Sequence, residues 1–509
     1  MRTVCLACFA YIHVSAFAQH DGARNAVQFI ADGKFGQVDA TLKNKKPFAG
    51  EAESRFVKML SLLAQDKTDA ARLEAKAAVE LGLPFERLVV GPKELLGKLH
   101  QDPGFQSWQA EFNVPLVIHG PMIGRVTDRS VSFWVRTQKP GDVSIELSDG
   151  DGFRKIEVIK TAAAEDCTGI ITFSDLSPDT TYQYKVGDLL LNGEVKTAPS
   201  FGPSKIKVAF GGGAGYVPEW EKMWDTIGAH SPDAMLMLGD NVYIDQPEHT
   251  LTQYYCYYRR QSRPEWKRLT GSTPIYSIWD DHDFAVNDCV PGPEIDQPAW
   301  KPQVWKIFRQ NWINPGYGGG ESQPGCWYDF TIGDVHFIML DGRYYRDKKG
   351  KTMLGPVQKK WVLKTLSESK GTFKILVSPV PFTPGIKPGS NDPWDGYPEE
   401  REKIFSHIGD NNIEGVFLVA ADRHRTDLRK IERPDSYTLY EFESSRLTNH
   451  HTHKVVKTPG LVWGYSKTCS FGLMEFDTTL KDPQVTMTCN NIEGEETNRF
   501  VLKLSQLKK

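Results

Sequence analysis

The sequence predicts a layered α/β domain preceded by a small antiparallel β-sandwich and a helical amino-terminal region. Three observations carry this. From Lys205 onward, KIKVAFGGG, DAMLMLGD, TPIYSIWDD, VHFIMLDGR, FKILVSPV and GVFLVAADRH are continuous apolar runs of the kind that buried strands require. Helix-like segments such as EWEKMWDTIGAH and GPVQKKWVLKTLSES separate several of them. Earlier in the chain the hydrophobic period is two between residues 115 and about 200, and three to four between residues 22 and about 100.

The chain opens with MRTVCLACFAYIHVSAFAQHDG, one basic residue followed by an apolar stretch that closes on Ala16-Phe17-Ala18. An A-x-A pattern after such a stretch reads as a secretory signal peptide over residues 1–18, so export to a periplasmic or extracellular compartment is expected. A helical region over 19–114 follows. AESRFVKMLSLLAQ and DAARLEAKAAVELG carry the helical period, and Gly82 and Pro84 punctuate its end. Two units hint at a helical-hairpin repeat without establishing one.

Residues 115–200 form the expected sandwich. SVSFWVRT, DVSIELSD, GIITFSDL and TTYQYKVG alternate apolar and polar residues with turn residues between them, similar to a fibronectin type III module. TAPSFGPS is the linker into the α/β domain of residues 201–509, whose sheets the strands near 471–504 complete.

Composition sets outer bounds. The chain has 509 residues, 40% hydrophobic and 25% charged, enough for two or three domains. Its formal net charge of -3 supplies no global field for nucleic acid or an anionic membrane, and no later run is long enough to span one. Cys5 and Cys8 leave with the signal, whereas Cys167, Cys256, Cys289, Cys326, Cys469 and Cys489 stay. Cys469 and Cys489 flank two predicted strands, which leaves a cross-strand disulfide and free buried cysteines as alternatives.

Chemistry gathers where strands stop. LMLGDNVY ends in Asp240 and Tyr243, YSIWDDHDF in Asp280, Asp281, His282 and Asp283, and VFLVAADRH in Asp422 and His424. In open α/β sheets ligands sit beyond the carboxyl ends of the strands, so these ends can converge. Oxygen and imidazole donors suit hard or borderline cations. The expectation is a metal-dependent hydrolase, with Asp240 at a tight Gly239 turn shared between two cations.

LGDNVYID, WDDHDF, LDGRYYRD, LGPVQKKWV, DPWDGYPEER and AADRH follow, in order, the motifs of alkaline phosphatase D-like (PhoD-like) metallophosphoesterases. The resemblance covers roughly residues 116 to 475. It implies a calcineurin-like four-layer αββα fold and a binuclear centre of ferric iron with calcium or another divalent cation. It also implies cleavage of small phosphomonoesters or phosphodiesters. By that resemblance Asp240 bridges the metals and Tyr243 binds iron as phenolate. Asp281 takes the place of an Asn, and Asp422 and His424 hold the second metal. His282 faces the substrate, and Asp280 is either a ligand or the acceptor that orients His282. One departure concerns the first turn, Phe210-Gly211-Gly212-Gly213-Ala214-Gly215, where similar proteins carry an iron-ligating Cys at the place of Gly213. Ala421 also stands where a Gly is usual.

Other residues carry weaker signals. Arg343 joins His282 among the catalytic candidates as a bidentate contact to a phosphoryl oxygen, the alternative being a scaffold pair with Asp341. His336 reads as a strand residue. Trp394, Asp395 and Tyr397 suggest an active-site loop, and His450, His451 and His453 a solvated histidine cluster. The rival readings are a diesterase acting on phospholipid, teichoic acid or nucleic-acid fragments, and a degenerate binding protein that presents its amino-terminal helices to a partner.

Overall fold

The computed structural model describes residues 22–43, 50–187 and 191–509. The signal-peptide expectation for residues 1–18 lies outside them. Seven helices precede the first strand among the described residues. Phe56, Val57, Leu60 and Leu63 line the buried stripe of the helix Glu51–Ala64. Ala71, Ala75 and Ala78 line that of the helix Thr68–Glu80, and their small side chains let the two helices approach closely. Pro103 sits in the first turn of the last of these helices, and Asp102 accepts a hydrogen bond from Phe105 N at 2.7 Å, an N-cap that fixes where it begins.

Two antiparallel sheets follow. One has the order β1 (Val117–Gly124), β2 (Val131–Thr137), β5 (Thr168–Phe173). The other runs β4 (Arg154–Thr161), β3 (Gly141–Ser148), β6 (Thr181–Val186), β7 (Leu191–Lys196). Phe133 of β2 meets Tyr184 of β6 edge-on at 5.0 Å, so the alternating inward residues of both sheets share one core.

The α/β part holds two larger sheets. The six-stranded sheet has the order β10 (Ile275–Ile278), β9 (Ala234–Leu238), β8 (Lys205–Gly211), β18 (Ser470–Asp477), β19 (Gln484–Asn491), β20 (Glu496–Lys503). Its first three strands are parallel and its last three antiparallel. The seven-stranded sheet runs β11 (Tyr328–Ile332), β12 (Val335–Met339), β13 (Phe373–Val377), β14 (Val416–Ala420), β16 (Leu439–Ser444), β15 (Thr426–Ile431), β17 (Leu461–Tyr465). Strands β12, β13, β14 and β16 are parallel neighbours. Phe476 of β18 lies against Phe373 and Phe417, and Phe210 of β8 meets Phe442 of β16 at 4.8 Å. The two sheets therefore share a core, and an isolated bridge between Gly212 and Ser445 ties their ends together where the acidic motifs emerge.

The disulfide alternative fails. The six described cysteines are free. In the β18–β19 register Cys489 faces Gly472, while Cys469 lies before the strand and accepts from Ile492 N. The two are therefore not opposed across the ladder.

Buried charges join the amino-terminal parts to the α/β part. Arg136 of β2 is fully enclosed and pairs with Asp166 at 3.0 Å, while Asn311 accepts from it at 2.8 Å. Asp166 also accepts from Tyr258 at 2.6 Å and pairs with Lys93 of the helical region. Removing one partner of a buried pair strands the other, at a cost of about 3–5 kcal/mol. Arg136→Ala is thus expected to lower the melting temperature by several degrees, whereas Arg154→Ala, whose partner Glu146 lies at the surface of the small sheet, leaves it within about 1 °C. Equal effects in a thermal denaturation experiment would refute the assignment of Arg136 as a junction residue.

Candidate active site

Three strand ends deliver the expected residues to one place. After β9 the chain turns at Gly239, whose φ is +101° and where a Cβ would meet Asp280 Cβ at 2.5 Å. Only glycine allows the ends of β9 and β10 to approach this closely. Asp240 (φ +50°), Asp422 (φ +69°) and His424 (φ +48°) adopt the left-handed backbone that non-glycine residues rarely enter. Such strain clusters at sites where function over-determines the geometry.

Ligand atoms of Asp240, Asp281 and His282 lie within 4.8 Å of one another, and all three side chains are buried. Tyr243 donates to Asp240 Oδ2 at 3.0 Å and lies 3.3 Å from His424 Nε2. The His424 ring therefore stands on the Tyr243 side of Asp240 and shares that donor set. The Asp422 carboxylate faces Arg423 at 3.3 Å and Lys387 at 3.9 Å.

The short helix Asp281–Phe284 divides the labour of the D-D-H-D motif. Asp280 caps the helix and Asp283 returns the bond to the cap's backbone, a reciprocal capping box. Asp283 also accepts from Val242 N at 3.0 Å and from Asn241 Nδ2 at 3.3 Å, which fixes the β9 turn to the β10 turn. Asp281 accepts from Asp288 N at 2.6 Å. His282 stacks against Tyr243 at 4.6 Å, and its Nδ1 lies 2.5 Å from Asp245 Oδ1. Of the two ring nitrogens of His282, Nδ1 is held by Asp245 rather than by Asp280. Asp280 Oδ1 instead accepts from Arg343 Nε at 2.5 Å.

Arg343 takes neither of its two expected places. It is fully enclosed and pairs with Asp280, with Asp392 at 2.6 Å and with Asp281 at 3.6 Å. It holds three carboxylates in place and presents no free face to a phosphoryl oxygen. Asp341 is not its side-chain partner either, accepting instead from Arg343 N and from Trp279 Nε1, both at 2.8 Å. In the DPWDGYPEER loop Trp394 is buried, stacks on Phe382 and donates to Ser378 Oγ, while Asp392 reaches Arg343. His336, bonded to Asp329 and Ser369, is a structural strand residue. The histidine cluster is not a remote solvated loop, for the rings of His451 and His453 lie 5.2 and 5.7 Å from that of His424.

Several residues had no sequence signal of their own. Asp245 sits inside the LGDNVYID motif but off the strand end. Asp392 opens DPWDGYPEER and accepts from Arg343, Arg346 and Lys387. Asp288 and Lys387 pair across 2.9 Å.

The electrostatics favour a cation. Burial raises the Asp240 carboxyl well above the usual range; His282 opposes this, while Asp281 and Asp280 add to it. Burial does the same to Asp280 against the pull of Arg343, and pushes Asp283 up to about 7 despite three backbone donors. Burial, then Asp240, holds the Tyr243 phenol protonated. Burial and His451 keep His424 neutral, the form that ligates metal. Burial lowers the His282 imidazole, but the carboxylates of Asp245, Asp240 and Asp281 outweigh it and raise it well above its ordinary value. Asp240 Oδ1 and Asp280 Oδ2 are buried without a hydrogen-bond partner. An orphaned carboxylate oxygen beside a converging donor set is what a metal ion satisfies, and the residues present fit one.

Gly213 has φ +66°, and a Cβ there would lie 3.7 Å from Tyr243 Oη but 3.0 Å from Arg446 N. A cysteine at this position would aim at the Tyr243 site while straining the turn.

Carboxyls raised above their ordinary value of about 3.9 stabilise the cation-free fold fully below that value. That contribution is lost as pH rises, through about 7 for Asp283. A bound cation compensates the ionised forms. The gap in melting temperature between cation-loaded and chelator-treated protein is therefore expected to widen between about pH 5 and pH 8. A gap independent of pH in differential scanning fluorimetry would mean that no cation sits on these carboxylates.

Residues 208–469 match the family described as PhoD-like phosphatase, and residues 114–201 match a domain of unknown function, DUF7800. Alkaline phosphatase D of Bacillus subtilis (strain 168) is 24% identical over 343 residues, which are 55% of this chain and 58% of that protein. The chain thus spans less than two thirds of that relative's length. A solved structure of PhoD superposes with a TM-score of 0.65 at 18% identity, covering 76% of this chain and 90% of that one, a likeness of fold. With just over half of its length matched, the chain belongs to the PhoD-like phosphatase family.

Proposed function

We propose that the protein is an exported, metal-dependent phosphoric-ester hydrolase acting on small phosphate esters. The observation that carries this reading is a buried, unpartnered Asp240 oxygen with Asp281 close by and the Tyr243 hydroxyl, itself 3.3 Å from His424, bonded to the other oxygen, His282 standing beside the group as a donor. A binding protein would have no need to bear the cost of so much uncompensated buried charge. Asp240 would be shared by two cations, with Tyr243 and His424 on one side and Asp281 and Asp422 on the other. Ferric iron with calcium or another divalent cation is the expected pair, the iron held more weakly because Gly213 offers no thiolate. Bound cations supply Lewis-acid activation of water and neutralise the phosphoryl oxygens. His282, charged and fixed through Nδ1, presents its other nitrogen as a donor to the phosphoryl or leaving-group oxygen, a role that strengthens as negative charge develops there.

The larger sheets are read as a four-layer αββα arrangement over residues 201–509, and the small sheets as a fibronectin-III-like module over 115–200. The amino-terminal domain is read as residues 19–114. The signal peptide is the motif-based argument for export.

His282→Ala is expected to lower kcat on p-nitrophenyl phosphate by about 10²–10⁴-fold with bound metal retained. Asp240→Ala should remove both metal and turnover. Metal analysis beside rates on p-nitrophenyl phosphate and bis-p-nitrophenyl phosphate tests the reading and separates monoesterase from diesterase. Full activity in Asp240→Ala, or wild-type protein without activity on either ester when loaded with metal, would overturn it.

A further inference from the structure

The helix Gly22–Ala31 lies outside both matched segments, yet its first turn is buried: Gly22, Ala23, Arg24 and Asn25 are all enclosed. It is seated on the loop that leaves β9. Gln28 Nε2 donates to Ile244 O at 2.7 Å, and Gln246 Nε2 donates to Asp32 Oδ1 at 3.1 Å just beyond the helix. From this seat Arg24 Nη2 donates to Asp245 Oδ2, while its Nη1 donates to Asn25 Oδ1 at 3.0 Å. The other oxygen of Asp245 holds His282 Nδ1. The same loop grips the His282 backbone, whose carbonyl accepts from Ile244 N at 2.9 Å and Asp245 N at 3.3 Å. Asp245 makes this double contact from a left-handed backbone, with φ +51°.

A chain of contacts thus runs from the amino-terminal helix into the active site: Arg24 to Asp245, Asp245 to His282, His282 to the Asp240–Asp281 cluster. A carboxylate bridging two fixed donors has one orientation. Without the guanidinium, the Asp245 carboxylate loses the donor that sits opposite His282, and the tilt of the imidazole against Tyr243 is held less tightly. A ring nitrogen misplaced by a fraction of an ångström costs a proton donor much of its effect.

We propose that Arg24 is a positioning residue of the active site, and that the amino-terminal helix completes a catalytic apparatus which the phosphatase core alone leaves unfinished. This rests on the role given to His282 under the proposed function. Arg24 touches no reacting atom and acts through Asp245, as partners behind a primary site group do elsewhere.

The test uses the full chain loaded with metal. Arg24→Ala is expected to lower kcat on p-nitrophenyl phosphate by about 10- to 100-fold, with KM and metal content within about two-fold of the wild type. Arg24→Lys should recover part of the rate. Millimolar guanidinium should restore Arg24→Ala and leave Asp245→Asn unchanged. The double variant Arg24→Ala/Asp245→Asn should be no slower than Asp245→Asn, because residues acting as a unit are not additive. Gln28→Ala loosens the same helix without touching Asp245 and should lose little rate. A second readout is independent of turnover and uses protein loaded with diamagnetic zinc: the low-field proton resonance of the His282 Nδ1–H, identified by its absence in His282→Ala, should shift or broaden in Arg24→Ala. Wild-type kcat in Arg24→Ala, an equal loss in Gln28→Ala, or a His282 resonance unmoved in Arg24→Ala would overturn the inference. A wild-type protein without hydrolytic activity would instead refute the proposed function, leaving the resonance to decide the positioning of His282.

Discussion

Uncompensated negative charge at the ends of β9 and β10 is the constraint around which the rest of the site is arranged. Asp240, Asp280, Asp281 and Asp283 are all buried within a few residues of the two turns. Left alone, such a cluster would neutralise itself by taking up protons. The fold opposes this with a specific partner for each, although burial still prevails at Asp280 and Asp283. Asp283 is given backbone amides, Asp280 the guanidinium of Arg343, and His282 the carboxylate of Asp245. Asp240 receives only the Tyr243 hydroxyl among neutral donors, and one of its oxygens is left with nothing. The asymmetry shows where compensation from the protein stops and where a cation has to supply it.

The division within D-D-H-D follows from helical geometry. Successive residues of a helix point roughly 100° apart, so four adjacent titratable side chains cannot serve one point. The four-residue helix Asp281–Phe284 sends Asp283 back into the turns and Asp280 to the Arg343 side, while Asp281 and His282 face the cluster. Arg343 in turn ties Asp280 to Asp392, and Lys387 ties Asp392 to Asp288. Positive and negative side chains thereby alternate around the Asp240–Asp281 cluster. Each of its members fixes a rotamer more than it adds net stability, since buried pairs barely repay their desolvation.

Much of this was legible in the sequence because apolar runs and turn chemistry are local. The six runs from KIKVAFGGG to GVFLVAADRH are strands in the structure, and Asp240, Tyr243, Asp281, His282 and His424 lie together as their positions at strand ends implied. Strands β15 and β16 escaped notice for a physical reason. TDLRKI and LYEFES carry Asp427, Arg429, Glu441 and Glu443, all fully buried, so charges break the hydrophobic pattern that marks a strand, and a partner such as the Phe382 amide on Glu441 is 59 residues away. Arg343 was misjudged on the same ground. Its partners Asp280 and Asp392 are 63 and 49 residues away in sequence, whereas Asp341 is its near neighbour. Asp245 was hidden because a residue in a loop announces nothing until the ring it orients is in view.

The amino-terminal region raises the question of why a phosphatase core should lean on segments outside it. Arg87 pairs with Glu53 at 2.9 Å while Glu53 accepts from Tyr255 at 2.7 Å, and the helix bearing Tyr255 also carries Tyr258, which bonds Asp166. The helix Thr250–Gln261 is therefore gripped from both the helical region and the sandwich, and it follows directly on the loop that holds Asp245. A loop that must carry a left-handed aspartate against a charged imidazole cannot be stabilised by its own backbone. It needs rigid neighbours, and the buried ion pairs at its flank supply them at the cost of making the added segments inseparable from the site. Apolar packing joins these parts in one core, and the buried pairs Arg24–Asp245 and Arg136–Asp166 add what apolar contacts cannot, a fixed orientation.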